Sequence, residues 1–278
     1  MTDEKNEFEL VIRPQKGLFS IDLPELMHYR ELLYFLTWRE VKVRYKQTIM
    51  GASWALLQPL FTMIVFTLIF GGLAKMPSEG IPYPVFSYSG LLLWIYFSNS
   101  VSSSGNSLVG NSALISKIYF PRLFIPTSAC LSGLVDYVIA LVILVFMMIY
   151  YNLVPNVSII MLPLLVFTTL ILASGIGYWL SSISVKYRDV HFILPFFIQL
   201  FMFISPVIYP TNIVGEKYQW LLYLNPMTGL IDAHRAVLLG HMPVNFGALG
   251  ISMVISVVIF LSGIMYLKKT EKYFADLI

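Results

Sequence analysis

The chain has 278 residues, of which 58% are hydrophobic and 12% charged, with a net charge of +3. Water-soluble domains carry about 25% charged residues. The polar surface needed to cover a soluble body is therefore missing, and the composition indicates an all-α integral membrane protein. Long continuous apolar runs exclude the alternating pattern of a transmembrane barrel. The single cysteine, Cys130, excludes an internal disulfide framework and reads as a small buried packing residue.

Residues 1–22 form a polar arm without a basic start and apolar core, so no cleavable signal is expected and the first span must direct insertion. Leu23 to Lys46 reads as an amphipathic helix, with Asp22 as N-cap and Pro24 in its first turn. Its Arg39, Lys42 and Lys46 share one face. Basic residues interleaved with Trp38 and Tyr45 suit the headgroup layer of a membrane, against the plainer reading of a helix packed on a partner. Arg44 and Lys46 then give way to a charge-free stretch from Gln47 to Ala74. With its lead-in, the interfacial unit covers 23–52.

The first span is expected over 53–74, about 33 Å of helix and enough for the hydrocarbon core. Pro59 should bend it. The second, over 85–109, is unusual because Ser98 to Ser107 is nearly all small and polar, which suits close helix packing or the lining of a watery passage. A connection follows, with Ser112 to Phe120 able to form about two amphipathic helical turns. The third span, 123–151, holds Asp136, the only acid in an expected span. At mid-membrane it costs on the order of 2.5–3.5 kcal/mol and must face protein or water. A satisfied interhelical hydrogen bond is preferred over a proton site, since no relay partner lies nearby in sequence. Spans four to six are expected over 159–183, 191–209 and 247–267, closing a 53–267 transmembrane domain. Within 210–246, two apolar stretches too short to cross read as half-embedded external helices. A short tail, 268–278, follows.

Fifteen of the 18 Lys and Arg residues then lie on one side, and Lys75, Lys217 and Arg235 on the other. The excess places both termini in the cytoplasm. No Gly-x-x-x-x-Gly-Lys-Ser/Thr loop, His-Glu-x-x-His, paired-cysteine motif or Gly-x-Ser-x-Gly elbow occurs. The chain is not expected to be an enzyme, to hold a metal or cofactor of its own, or to bind nucleic acid. Intramembrane ionisable residues are too few for an evident proton or sodium relay. Aromatic residues make up 15%; most suit interfacial belts, and a minority could line a passage by stacking on sugar rings. Candidates for that lining are Tyr88, Trp94, Tyr96, Phe97, Asn99, Asp136, Phe197, Phe201 and Tyr209.

Arg44-Tyr-Lys-Gln-Thr-Ile-Met-Gly-Ala-Ser-Trp-Ala-Leu-Leu-Gln-Pro59, Lys117-Ile-Tyr-Phe-Pro-Arg122, Lys186-Tyr-Arg-Asp189, Ser205-Pro-Val-Ile-Tyr-Pro210 and Leu224-Asn-Pro-Met-Thr-Gly-Leu230 occur in this order. Together they resemble permease subunits of bacterial ABC exporters for polysaccharides, in particular O-antigen exporter permeases, with teichoic-acid and capsule exporter permeases similar in plan. The resemblance implies a homodimeric permease of the inner membrane, working with two copies of a separate ATP-binding subunit that carries ATP and Mg. Lipid-linked polysaccharide would be its substrate. The resemblance further implies that residues 113–122 dock on the ATPase, with Leu114, Ile115, Lys117, Ile118, Tyr119, Phe120, Pro121 and Arg122 as contacts. Arg39, Lys42, Arg44, Tyr45, Lys46, Lys186, Arg188 and Asp189 would form the cytoplasmic interface. The short helices within 213–240 would form an external gate. A drug or lipid exporter permease, or a membrane glycan-processing enzyme, are the alternatives.

Overall fold

The computed structural model describes residues 23–46, 51–187 and 189–271. The expected arm over 1–22, the Gln47–Met50 junction, Arg188 and the tail from Lys272 lie outside the described residues. The described residues are mostly helical, with no strand among them. Two helices, α1 (Leu23–His28) and α2 (Arg30–Lys46), lead into α3 (Gly51–Phe66), which continues as a π-helical stretch over Thr67–Leu73. Then come α4 (Tyr83–Gly110), the single turn α5 (Ser112–Ile115), α6 (Phe124–Tyr150), α7 (Leu162–Lys186) and α8 (Val190–Ile204). The chain finishes with α9 (Glu216–Tyr223), α10 (Pro226–Leu239) and α11 (Phe246–Glu271).

Among the described residues, four helical segments are long and apolar enough to cross a membrane: Ser53–Leu73, Phe124–Tyr150, Val157–Lys186 and Phe246–Glu271. The 28 residues of α4 also suffice in length, but serine and asparagine lower its hydropathy. The expected fifth span is shorter than the sequence suggests. Helix α8 has 15 residues, about 22 Å against a hydrocarbon core of about 30 Å. It stops at Ile204 because Pro206 lacks an N–H and disfavours helical geometry at Ser205. The connection after α4 differs too: one helical turn forms instead of two, followed by turns and extended chain to Pro121.

Helix α4 lies at the centre, between α6 and α7, and α7 carries α11 on its other side. Small residues allow this stacking. A Cβ on Gly175 would stand 2.6 Å from the Phe260 Cα, and one on Gly263 would strike the Gly175 carbonyl. Between α4 and α7, Gly177 seats Ser104. Among apolar helices in lipid such close approach supplies the attraction that water supplies elsewhere. Many of the hydroxyls return to their own helix: Ser89 bonds the Phe86 carbonyl, Ser107 that of Ser104, and Ser182 that of Tyr178. The polar half of α4 thus serves two ends. Ser100, Ser104 and Ser107 are buried in helix packing, while Asn99, Ser102 and Ser103 face an open pocket.

Helix α10 is a core element. Asn225 caps its start by accepting from the Met227 N–H at 3.0 Å, Pro226 occupies the first turn, and Gly240 ends it at φ +68°. Every α10 residue except Pro226 and Asp232 is buried. Its neighbour α9 instead exposes Tyr218, Trp220 and Leu221.

Replacing Gly175 with Leu drives a side chain into the α11 backbone. Overpacking costs about 1–3 kcal/mol where neighbours can yield, and backbone yields little. Gly175→Leu is expected to lower the thermal midpoint in detergent sharply. Gly250→Ala, whose Cβ would meet nothing within 4 Å, is expected to leave it unchanged or raise it slightly.

Candidate functional site

A pocket of about 550 Å³ opens where α2, α3, α4 and α6 meet. Its aromatic surfaces come from Tyr45, Trp54, Tyr96 and Tyr137, and its polar ones from Gln58, Asn99, Ser102, Ser103, Arg44 and Asp136. Pro59 also lines it. Flat rings beside amide and hydroxyl groups suit a ligand that is apolar on its faces and polar at its edges.

One end of the pocket is closed by a charged cluster. Leu36, Glu40 and Arg44 recur every fourth residue along α2, and the helix packs along α6. Leu36 is buried among Leu108, Phe120, Leu123, Phe124 and Leu267. Two turns further on, Arg44 donates to one carboxylate oxygen of Asp136 and the Tyr45 hydroxyl donates to the other. Arg44 also reaches the Ser132 hydroxyl at 3.3 Å. The acid of the third expected span therefore has a cation and a phenol as partners, both supplied from 91–92 residues away. Burial pushes the Tyr45 hydroxyl above its ordinary range, and the Asp136 carboxylate adds to the shift.

The residues singled out from sequence fall into three groups. Tyr96, Asn99 and Asp136, with Arg44 and Tyr45, gather at the pocket. Tyr88, Trp94 and Phe97 do not; they are buried in the bundle core, where the Tyr88 hydroxyl bonds the Ala140 carbonyl at 3.0 Å. A passage lining within this chain is not what their packing provides. Phe197 and Phe201 stand exposed on α8, and Tyr209 bonds the Ile204 carbonyl at 2.8 Å just beyond it.

At the end of the bundle that carries the basic residues, Arg39 turns toward Asn111 and Glu40, whereas Lys42 lies over the Trp38 ring at 5.6 Å and Lys46 is exposed. The shared basic face is thus divided by tertiary contacts. Lys186 and Asp189 are exposed nearby. In the connection after α4, Phe120 is buried and Arg122 is engaged by Glu271, through the Glu271 carbonyl at 2.8 Å and its carboxylate at 3.5 Å. Leu114, Ile115 and Pro121 are half-buried, which leaves Lys117, Ile118 and Tyr119 as the projecting residues.

Sequence reasoning missed Arg235. It lies 1% exposed in α10, where its N–H groups reach the carbonyls of Pro206 at 2.6 Å, Val207 at 2.6 Å and Phe86 at 3.3 Å. Its guanidinium sits 3.8 Å from the centre of the Phe86 ring. The signal that could have found it is a lone Arg in the apolar 229–240 stretch. Asp232, one turn earlier, shares a small cavity of about 200 Å³ with Glu79 and Arg235. Burial lifts the Asp232 carboxyl from 3.8 to about 6, against the opposing pull of Arg235 and Thr211, with Glu79 adding to the rise. Burial also raises Glu79 and lowers Arg235 to about 10.

Two outcomes follow from these contacts. Asp136→Asn keeps the shape and removes the charge facing Arg44. It is expected to cost about 1–3 kcal/mol, the range for a lost charged hydrogen bond. Side-chain exposures of 32% and 20% keep the pair below the cost of a fully buried one. A double-mutant cycle with Arg44→Gln by unfolding in detergent checks it. For Asp232 the folded pKa of about 6 lies above the ordinary 3.8. The folded state therefore keeps a proton that the unfolded chain releases, and this stabilisation, complete below 3.8, is lost as pH rises through about 6. The melting temperature of the native chain relative to Asp232→Asn should fall over that window, while the buried His234, whose pKa burial lowers, works in the opposite sense in both chains. Adding Glu79→Gln should remove a further contribution of the same sign as Asp232.

A family described as ABC-2 type transporter matches residues 31–239. An O-antigen export system permease protein of Myxococcus xanthus is 31% identical over 220 residues, 78% of this chain and 84% of its own length. One from Klebsiella pneumoniae is 25% identical over 249 residues, covering 89% of this chain and 95% of that protein. A polysialic acid transport protein of Escherichia coli is 24% identical over 237 residues, with 84% and 91% covered. The matched region holds the four-helix pocket, the connection after α4 and helix α10, so the chain belongs to the ABC-2 type transporter family as a multi-pass membrane permease.

Proposed function

We propose that this chain is the membrane permease of an ATP-driven exporter that moves lipid-linked polysaccharide, an O-antigen or similar surface glycan, outward across the inner membrane. The similarity to polysaccharide export permeases over most of both chains carries the reading. The pocket supports it, because tyrosine and tryptophan rings beside Gln58 and Asn99 suit sugar rings with their apolar faces and hydroxyl edges. The basic end is the cytoplasmic one by the excess of Lys and Arg, with both termini there.

The chain lacks a phosphate-binding loop, which suits a separate ATP-binding subunit that carries ATP and Mg. Lys117, Ile118 and Tyr119 project from the basic end and form the core of its docking surface. Phe120 and Arg122 hold that surface to the bundle. A homodimer with two ATPase copies accounts for the exposed apolar face of α8. Phe197 and Phe201 then face the partner permease or the passage between the two copies.

Ile118→Asp combined with Lys117→Glu alters only exposed side chains. It is expected to leave membrane insertion and the melting temperature intact, while reducing co-purification with the partner ATP-binding subunit at least about tenfold, the effect of 1.4 kcal/mol. Undiminished co-purification overturns the docking assignment. Deleting the chain's gene should trap lipid-linked glycan on the cytoplasmic face. A normal surface glycan in that strain would favour a drug or lipid exporter instead.

A further inference from the structure

The pocket wall and helix α10 meet through one buried hydrogen bond. Tyr137 follows Asp136 on α6 and lines the pocket, with its ring 5.7 Å from that of Tyr96. Its hydroxyl lies 2.8 Å from Nε2 of His234. His234 is fully buried, and its other ring nitrogen, Nδ1, makes no hydrogen bond of good geometry. Either tautomer lets the ring pair with the phenol: a protonated Nε2 donates to the Tyr137 oxygen, and a bare Nε2 accepts from its hydroxyl. The imidazole therefore has one good hydrogen bond, and it comes from the wall of the pocket.

The residue after His234 is Arg235, whose three carbonyl partners lie on α4 and on the irregular segment after α8. Consecutive residues of one rigid helix thus touch the pocket wall on one side and the far-end connections on the other. Packing alone does not call for this pair. A phenylalanine and a leucine would fill the space without desolvating an imidazole and a phenol.

We propose that Tyr137 and His234 are a positioning pair for transport, through which filling of the pocket is transmitted to α10 and to the far-end segment held by Arg235. Tyr137 is only 4% exposed and meets the pocket at its edge; a ligand pressing on that edge shifts the phenol against His234, and α10 follows. The inference rests on the reading of the pocket as part of the polysaccharide path.

The test uses the full permease–ATPase complex with His241→Cys as reporter. His241 is exposed just past α10, and the native Cys130 is fully buried, so a membrane-impermeant maleimide reads the introduced thiol. The probe is lipid-linked glycan isolated from membranes of the deletion strain, and its binding is measured separately. Glycan is expected to change the labelling rate about fivefold or more, the size of a typical coupling between sites. His234→Phe, which has no hydrogen-bonding group, is expected to abolish that change while glycan binding and basal ATPase activity persist. His234→Gln, which keeps one, should restore it.

Each contrary result has its own meaning. Failure of the unsubstituted reporter complex to bind glycan overturns the reading of the pocket. Binding with no change in labelling overturns the pair. A His234→Phe complex that still responds also overturns the pair. Loss of the response in the Phe and Gln variants alike, in step with a lowered melting temperature, reduces His234 to a packing residue and overturns it as well.

Discussion

The guanidinium of Arg235 sits in the apolar interior, held by the carbonyls of Phe86, Pro206 and Val207. Its setting expresses a constraint on every polar group in a hydrocarbon layer: the partner must come from the protein. Pro206 breaks the helical ladder after α8 and frees carbonyls there, and a buried cation is what takes them up. The Tyr83 hydroxyl adds a bond to Ile208 at 2.9 Å, and Asn225 bonds Ser205 at 2.8 Å. The irregular chain between α8 and α9 is therefore docked on α4 and α10 rather than left to lipid, and α10 becomes a part of the core.

The same constraint explains the two-sided character of α4. Against α6 and α7 its serines are small enough to let backbones approach; Ser89 and Ser107 also bond carbonyls of their own helix, whereas Ser100 and Ser104 do not. On the other side, Asn99, Ser102 and Ser103 need a wet or ligand-filled neighbour, and the pocket provides it. One helix can thus cement the bundle and line a polar space, since residues four apart share a face and those between them do not.

Asp136 joins α2 to the pocket. Pairing with Arg44 and Tyr45 brings the end of α2 into the wall of the pocket, while the start of α2 packs beside the connection that follows α4. A disturbance at the proposed ATPase-docking surface therefore has a short path of packed side chains to the aromatic pocket. From the pocket, Tyr137 and His234 lead on to α10. The two short helices differ: α9 exposes aromatic and apolar side chains, whereas α10 is anchored throughout.

Much of this was legible in the residue order. Composition alone dictated the membrane class, and runs of apolar residues bounded by Gly, Pro and Lys marked the long helices, because helix and span lengths depend on local propensity and hydrocarbon thickness. The limits of α10 are set by Asn225, Pro226 and Gly240 through backbone chemistry that acts within a few residues. Other features could not be read that way. The partner of Asp136 lies 92 residues distant, and α8 ends early for a proline whose freed carbonyls are taken up by an arginine about 28 residues on. Which buried aromatics border the pocket, as Tyr96 and Tyr137 do, and which lie away from it, as Tyr88 and Trp94 do, depends on how helices are rotated against one another. Periodicity places a residue on a face; only the packing of α4, α6 and α7 decided what each face meets.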